Sequence, residues 1–243
     1  MFPIICQIGP VTIYSYGVMM AISVIVCSVL LAREAVHYKI HPDIIYDLVF
    51  WIVISGIMGA RIFYILLNFQ FFITNPLEII MIHHGGLSWQ GSLVIGTAVA
   101  VWLIKRERLP FLLTLDLMAP YIALGQAIGR IGCFLNGCCY GREVSWGIYF
   151  PVHDARLHPT QLYMSAALFA IFFILKRFRN FSKTPGQVLV LYFILASGQR
   201  FIVEFFRADH EPLWLNLSIY QYVALGILAT GLFVNTLITR RNP

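Results

Sequence analysis

The chain has 243 residues, of which 59% are apolar or aromatic and only 12% charged, with a formal net charge of +6. Soluble domains carry about 25% charged residues, and a core of this size cannot hide so much apolar surface, so a water-soluble globule is excluded. The basic residues sit in short gaps between apolar runs rather than on one polar face, which argues for membrane lipids as surroundings and against nucleic acid as a partner.

A helix crossing the hydrocarbon layer needs about 20 largely apolar residues. Met1 to Pro10 contains no Lys or Arg, so no cleavable signal peptide is expected and the first apolar segment, 13–32, stays as a helix. Further spans are expected at 44–67, 92–104, 115–135, 160–175, 187–206 and 218–238. The third follows a Gly-rich stretch and is short enough to dip into the bilayer instead of crossing it cleanly. Segment 71–82 is broken by Asn75-Pro76 and is assigned to the interface. The expected fold is all-α: one transmembrane domain, 1–243, built as a bundle of about seven helices.

Orientation follows from the gaps. Arg33 and Lys39 follow span one, Lys105, Arg106 and Arg108 follow span three, and Lys176, Arg177, Arg179 and Lys183 follow span five; the tail adds Arg240 and Arg241. The alternate gaps hold only Arg142 and Arg156, then Arg207. The positive-inside rule makes the richer gaps cytoplasmic, with the N-terminus periplasmic and the C-terminus cytoplasmic. The polar connection 141–159 then lies outside, where it is expected to form a small periplasmic cap with the N-terminal segment and the 83–91 loop.

Charge within a span marks function by default, and three arginines qualify: Arg61, Arg130 and Arg200. Arg61 lies late in span two, where snorkelling or structural anchoring accounts for it. Arg130 sits among Gly125, Gly129 and Gly132, small residues that make room beside it. Arg200, Glu204 and Arg207 are spaced i, i+4, i+7 and are expected on one helix face, with Glu204 orienting the arginines. Inward-facing arginines with few carboxylates suit an anionic ligand, because the guanidinium fork matches phosphate oxygens. Inside a membrane that phosphate is a lipid headgroup.

Four segments then occur in order: His84-Gly-Gly-Leu-Ser-Trp-Gln90-Gly91, Gly129-Arg130-Ile-Gly-Cys133-Phe-Leu-Asn136-Gly-Cys138-Cys139-Tyr-Gly141, His158-Pro-Thr-Gln-Leu-Tyr163, and Arg200-Phe-Ile-Val-Glu204-Phe-Phe-Arg207. Together they resemble the phosphatidylglycerol–prolipoprotein diacylglyceryl transferase family of the bacterial inner membrane. The resemblance implies transfer of the diacylglyceryl group of phosphatidylglycerol to the lipobox cysteine of a prolipoprotein signal peptide, releasing glycerol phosphate. It implies catalytic roles for Arg130 and Arg200, with Gln90 positioning substrate. It implies substrate binding by Arg130, Asn136, Gly141, Glu204, Arg207 and His84, and no metal or organic cofactor.

Three positions depart from the family pattern: Gln90 stands where His is usual, Cys133 where Asn is, and Cys138 where Glu is usual. An amide has no accessible pKa, so Gln90 is expected to hold substrate by hydrogen bonding within an irregular loop before span three. Cys133, Cys138 and Cys139 do not match the usual zinc spacings and read as small apolar filler, as do Cys6 and Cys27. An anionic-solute transporter and a catalytically altered relative of the transferase remain open as alternatives.

Overall fold

The computed structural model describes residues 1–9, 11–81, 85–182, 184–208 and 213–241. In chain order the elements are β1 (Ile4–Ile8), β2 (Val11–Tyr14), α1 (Ser15–Ala35), α2 (Pro42–Leu67), α3 (Phe69–Thr74), α4 (Trp89–Arg106), α5 (Phe111–Asn136), β3 (Glu143–Phe150), β4 (Ala155–Leu157), α6 (Thr160–Arg179), α7 (Gln187–Glu204) and α8 (Ile219–Arg241). Six helical segments among the described residues are long and apolar enough to cross a membrane: Ser15–Tyr38, Pro42–Leu67, Phe111–Asn136, Thr160–Arg179, Gln187–Glu204 and Ile219–Ile238. Helix α4 has 18 residues but opens on Trp89-Gln90 and closes on Lys105-Arg106, so its apolar stretch is shorter.

Several helices run past the apolar windows. Basic residues fall in the last turns of α1 (Arg33), α4 (Lys105, Arg106) and α6 (Lys176, Arg177, Arg179). Cations there meet the negative end of the helix dipole and the orphan carbonyls of the final turn, so the charge that ends an apolar run stabilises another turn of helix.

The chain forms two compact units, Met1–Leu31 with Leu115–Pro243, and Ala32–Thr114. In the first, α5 packs on α6 and α7 through a small-residue stripe. Ala119, Ala123 and Ala127 meet Leu168, Ile171 and Leu175 of α6 and Val188 and Tyr192 of α7. Lipid tails are as apolar as these side chains, so the packing rests on close van der Waals approach, which alanines allow. Polar contacts fix the register. Ser165 donates to the Ala127 carbonyl at 2.9 Å, and the buried Asp116 carboxylate accepts from the N–H groups of Gly186 (2.6 Å) and Leu189 (2.8 Å), capping α7 from a neighbouring helix.

Helix α1 lies on the other side of α5. Ser23 donates to the Gly125 carbonyl at 3.0 Å and Cys27 to the Tyr121 carbonyl at 3.3 Å. A Cβ on Gly132 would lie 3.0 Å from Met19 and 3.3 Å from Tyr16, and one on Gly129 3.4 Å from the Met20 sulfur. The glycines around Arg130 therefore receive α1. Their spacing suits this close helix approach, and α1 takes the room beside them that was expected for a ligand. The fold is mostly helical, as expected of an all-α bundle, with two antiparallel hairpins added, β1–β2 and β3–β4. Cys6 is exposed on β1 rather than packed.

In the second unit α2 crosses α4 at glycines. A Cβ on Gly59 would lie 2.6 Å from the Gly91 carbonyl and 2.7 Å from Ile95, so the backbones touch. The segment assigned to the interface forms α3 and a short 3-10 turn, Pro76–Ile79.

Candidate active site

Arg61 is settled first. Its residue is only 6% exposed, so it does not snorkel. Nε donates to Ile79 O at 3.2 Å, Nη1 to Gly85 O at 2.6 Å and Gly86 O at 3.0 Å, and Nη2 to the carbonyls of Glu78 and Met81. Phe72 stacks 5.3 Å below the guanidinium. This side chain ties the segment before α4 to α2, and its donors are spent on the protein's own backbone.

The segment it anchors leads to Gln90. Helix α4 begins at Trp89, so Gln90 lies in the first helical turn and not in an irregular loop. Its side chain is exposed, and its carbonyl oxygen accepts from the Ser88 hydroxyl at 2.7 Å. Its amide N–H₂ makes no hydrogen bond among the described residues. His84 lies outside the described residues.

The first unit assembles the other predicted residues around the end of α5. That end is a Schellman cap: Gly137 takes a positive φ of 77°, its N–H reaches Phe134 O at 3.2 Å, and the N–H of Cys138 reaches back to Cys133 O at 3.2 Å. Asn136 is the last helical residue, and the Cys138 thiol donates to the Cys133 carbonyl at 3.7 Å. Beyond the cap the chain turns sharply at Cys139, whose φ of 62° is unusual for a side chain with Cβ. Thr160 Oγ1 donates to Cys139 O at 2.7 Å and Gln161 Nε2 to Cys138 O at 2.5 Å, so the fully buried N-terminus of α6 pins this turn.

Gly141 closes the segment. It forms an antiparallel bridge with Arg207, while Arg142 N donates to Phe206 O at 2.9 Å and Gly141 N to His158 O at 3.0 Å. A Cβ here would run into Phe206 O and lie 2.6 Å from the Cβ of His158, so only glycine fits. His158 fills the corner, stacked edge-on by Trp146, Tyr163 and Phe206, with Nδ1 3.2 Å from the Tyr163 hydroxyl.

The charged cluster lies beside this bridge, though not on one helix face. Helix α7 ends at Glu204, and Arg207 follows in a turn. Glu204, its side chain 2% exposed, takes Arg200 Nη2 at 2.8 Å, Arg207 Nε at 3.9 Å, and the Ser218 hydroxyl at 2.8 Å. Arg200 also lies 5.2 Å over the Tyr220 ring. One carboxylate thus serves two arginines, and net positive charge remains.

Arg130 contrasts with that network. It is half-buried, and among the described residues it forms no hydrogen bond or ion pair. Its charge is felt by Cys139, as is that of Arg207. Hydrogen bonds with the Cys133 and Cys138 thiols, with Arg207 and Arg130 adding, hold the Cys139 thiol far below the usual thiol range. The three sulfurs lie within 4.8 Å of one another, a convergence that sequence spacing had read as filler.

The chain as a whole is similar to known proteins. The family model for prolipoprotein diacylglyceryl transferase matches residues 3–237. A Clostridium tetani protein named phosphatidylglycerol–prolipoprotein diacylglyceryl transferase is 34% identical over 242 residues, covering 96% of this chain and 96% of its own length. Proteins of the same name from Nostoc (35% identical; 95% of this chain, 87% of theirs) and Halalkalibacterium halodurans (32%; 94% and 83%) are also similar. The chain belongs to the prolipoprotein diacylglyceryl transferase family.

Proposed function

We propose that this chain transfers the diacylglyceryl group of phosphatidylglycerol to the lipobox cysteine thiol of a prolipoprotein signal peptide, releasing glycerol phosphate. Family membership over nearly the whole length gives the reaction class. The observation that carries the site is an Arg130 without a protein partner among the described residues, on the same segment that Gly141 joins to an Arg200–Glu204–Arg207 network built on a buried carboxylate.

The chemistry follows from the charges. The thiolate sulfur attacks the glyceryl carbon, the carbon–oxygen bond breaks, and its electron pair leaves on the phosphate. Donors fixed before the reaction stabilise that charge without reorganising. Arg130 has its full fork available for phosphate oxygens and Arg200 supplies a second cation, held by Glu204. Arg207 and Gly141 hold the segment that carries Asn136 against the end of α7. Gln90, exposed at the start of α4, hydrogen-bonds substrate, and His84 belongs to the substrate-binding set.

In this reading the protein is a single transmembrane domain of the bacterial inner membrane. Helix α4 joins the six more apolar helices as a seventh span, with the N-terminus and the two hairpins periplasmic and the C-terminus cytoplasmic. The basic last turns of α1, α4 and α6 support that orientation. Cysteine labelling from outside should reach an engineered thiol at His153 and none at Arg179; the reverse pattern overturns the orientation.

The reaction is tested with purified protein in phosphatidylglycerol micelles. Glycerol phosphate release should require a lipobox peptide and vanish when its cysteine is serine. Absence of release, or failure to rescue growth of a strain depleted of its own transferase, overturns the assignment.

A further inference from the structure

Three thiols converge beside Arg130 and Arg207, and nothing in the reaction above uses them. Cys133 and Cys138 meet because a Schellman cap returns the second residue past the helix to its last turn, a place ordinarily filled by an apolar contact. The positive φ of Cys139 folds a third sulfur back onto the pair. All three sulfurs lie within 4.8 Å of one another. A disulfide needs its sulfurs about 2.0 Å apart, a contraction within reach of side-chain rotation about χ1. Each of the three residues is partly exposed, so the cluster is open to small molecules.

The cluster is preorganised and electrically biased. Thr160 and Gln161, both fully buried, hold the carbonyls of Cys139 and Cys138, so α5, the turn and α6 fix the three residues together. The Cys133 and Cys138 thiols, with the fields of Arg207 and Arg130 adding, hold the Cys139 thiol far below the usual range. Cys139 is therefore the nucleophile of the set. A thiolate is the form that hydroperoxides oxidise, and a second thiol alongside turns the product into a disulfide. Gln161 adds one feature. Its Oε1 is buried and has no hydrogen-bond partner among the described residues, an acceptor suited to the O–H of a sulfenic acid.

We propose that Cys139 is an oxidative modification site that reacts with hydroperoxides, with Cys133 as the thiol that resolves it to a disulfide. This lies beyond the transferase reading and does not rest on it. The class covers hydrogen peroxide and the hydroperoxides of oxidised lipid chains, which share a weak O–O bond. The atoms balance. The Cys139 sulfur attacks one peroxide oxygen, the O–O bond breaks, and the departing hydroxide or alkoxide takes a proton from water. Cys139, two electrons poorer, is then a sulfenic acid. The Cys133 thiol attacks that sulfur, the S–O bond breaks, and the hydroxide leaves with the Cys133 proton as water. Cys133 is assigned in preference to Cys138 because a disulfide between adjacent residues closes a small ring around a planar peptide bond, which strains both. The new bond ties the last turn of α5 to the segment leading to Gly141, and a dithiol reductant reverses it by exchange.

The test uses the full chain in detergent, reduced, freed of reductant and kept with a chelator. One arm receives an equivalent of hydrogen peroxide and the other an equivalent of a phospholipid hydroperoxide. Cleavage after Arg130 and Arg142 releases 131–142, which carries all three cysteines. In the wild type this peptide should lose two hydrogens, with fragmentation joining Cys133 to Cys139. Its oxidation should run at least about tenfold ahead of that at the exposed Cys6, because an ordinary thiol is only a few per cent thiolate at pH 7. The arm that reacts names the source, and reaction in either sustains the proposal. Cys139→Ser should leave the peptide reduced, and Cys138→Ser should form the disulfide as the wild type does. Cys133→Ser should stop at a sulfenic acid on Cys139 that dimedone traps. A wild-type peptide left reduced in both arms, oxidation no faster than at Cys6, or a disulfide other than Cys133–Cys139 overturns the proposal. None of these three readings depends on a variant folding.

Discussion

Arg61 and Arg130 are both arginines within apolar helices, and the sequence around each is rich in glycine, yet the two side chains are used in opposite ways. Arg61 is buried and distributes its donors over carbonyls of Glu78, Ile79, Met81, Gly85 and Gly86. Arg130 is half-buried and keeps its fork free of protein partners among the described residues. The difference is one of supply. Residues 78–81 and 85–86 lie outside any α-helix and have carbonyls to satisfy, whereas the neighbours of Arg130 lie in regular helix whose carbonyls are already bonded. An intramembrane arginine therefore marks a ligand only when the surrounding backbone has nothing left to accept its protons.

That contrast can be broken by substitution. Arg130→Lys keeps the charge and loses the bidentate fork, and Arg130→Ala loses both. Transfer by Arg130→Ala should fall about 100- to 1000-fold, with the thermal unfolding midpoint near that of the wild type. A variant that unfolds, or one with near-normal transfer, would place the phosphate elsewhere. Arg61→Met should behave in the reverse sense. Leaving buried carbonyls without donors should cost about 2–4 kcal/mol of stability, read as a lowered melting midpoint in detergent. Equal destabilisation by Arg61→Met and Arg130→Ala would erase the distinction drawn here.

A second pair sharpens it. Gly59→Ala puts a methyl against the Gly91 backbone and should cost about 1–3 kcal/mol by overpacking the α2–α4 crossing. Gly198→Ala, on α7 where an added Cβ meets nothing within 4 Å, serves as the control and should leave stability unchanged. The smallest effect is expected at Gln90. Its loss removes a neutral hydrogen bond worth about 1 kcal/mol, so Gln90→Ala should slow transfer roughly fivefold. Gln90→His should add no new pH dependence near 6.5; appearance of one would show that a base had been missing.

What the chain determined by itself is its residence and its helices. The bilayer demands runs of a set length, so apolar windows could be read directly, and helix α4 was visible as a shorter apolar run after the Gly-rich stretch. Helix C-termini were misjudged because charge was taken as the end of the apolar run, while the dipole extends α6 to Arg179. The family motifs were legible too, because each is contiguous. The tertiary structure decided what those residues touch. The Gly125–Gly132 face accommodates α1, Arg207 belongs to a bridge with Gly141 instead of a helix face, and Gln90 begins a helix. Cys133, Cys138 and Cys139 come together only through a left-handed cap pinned by Thr160 and Gln161. Length and polarity act locally along the chain, so sequence reveals them; hydrogen-bond partners and shared space are supplied by segments far away in sequence, and only folding brings those within reach.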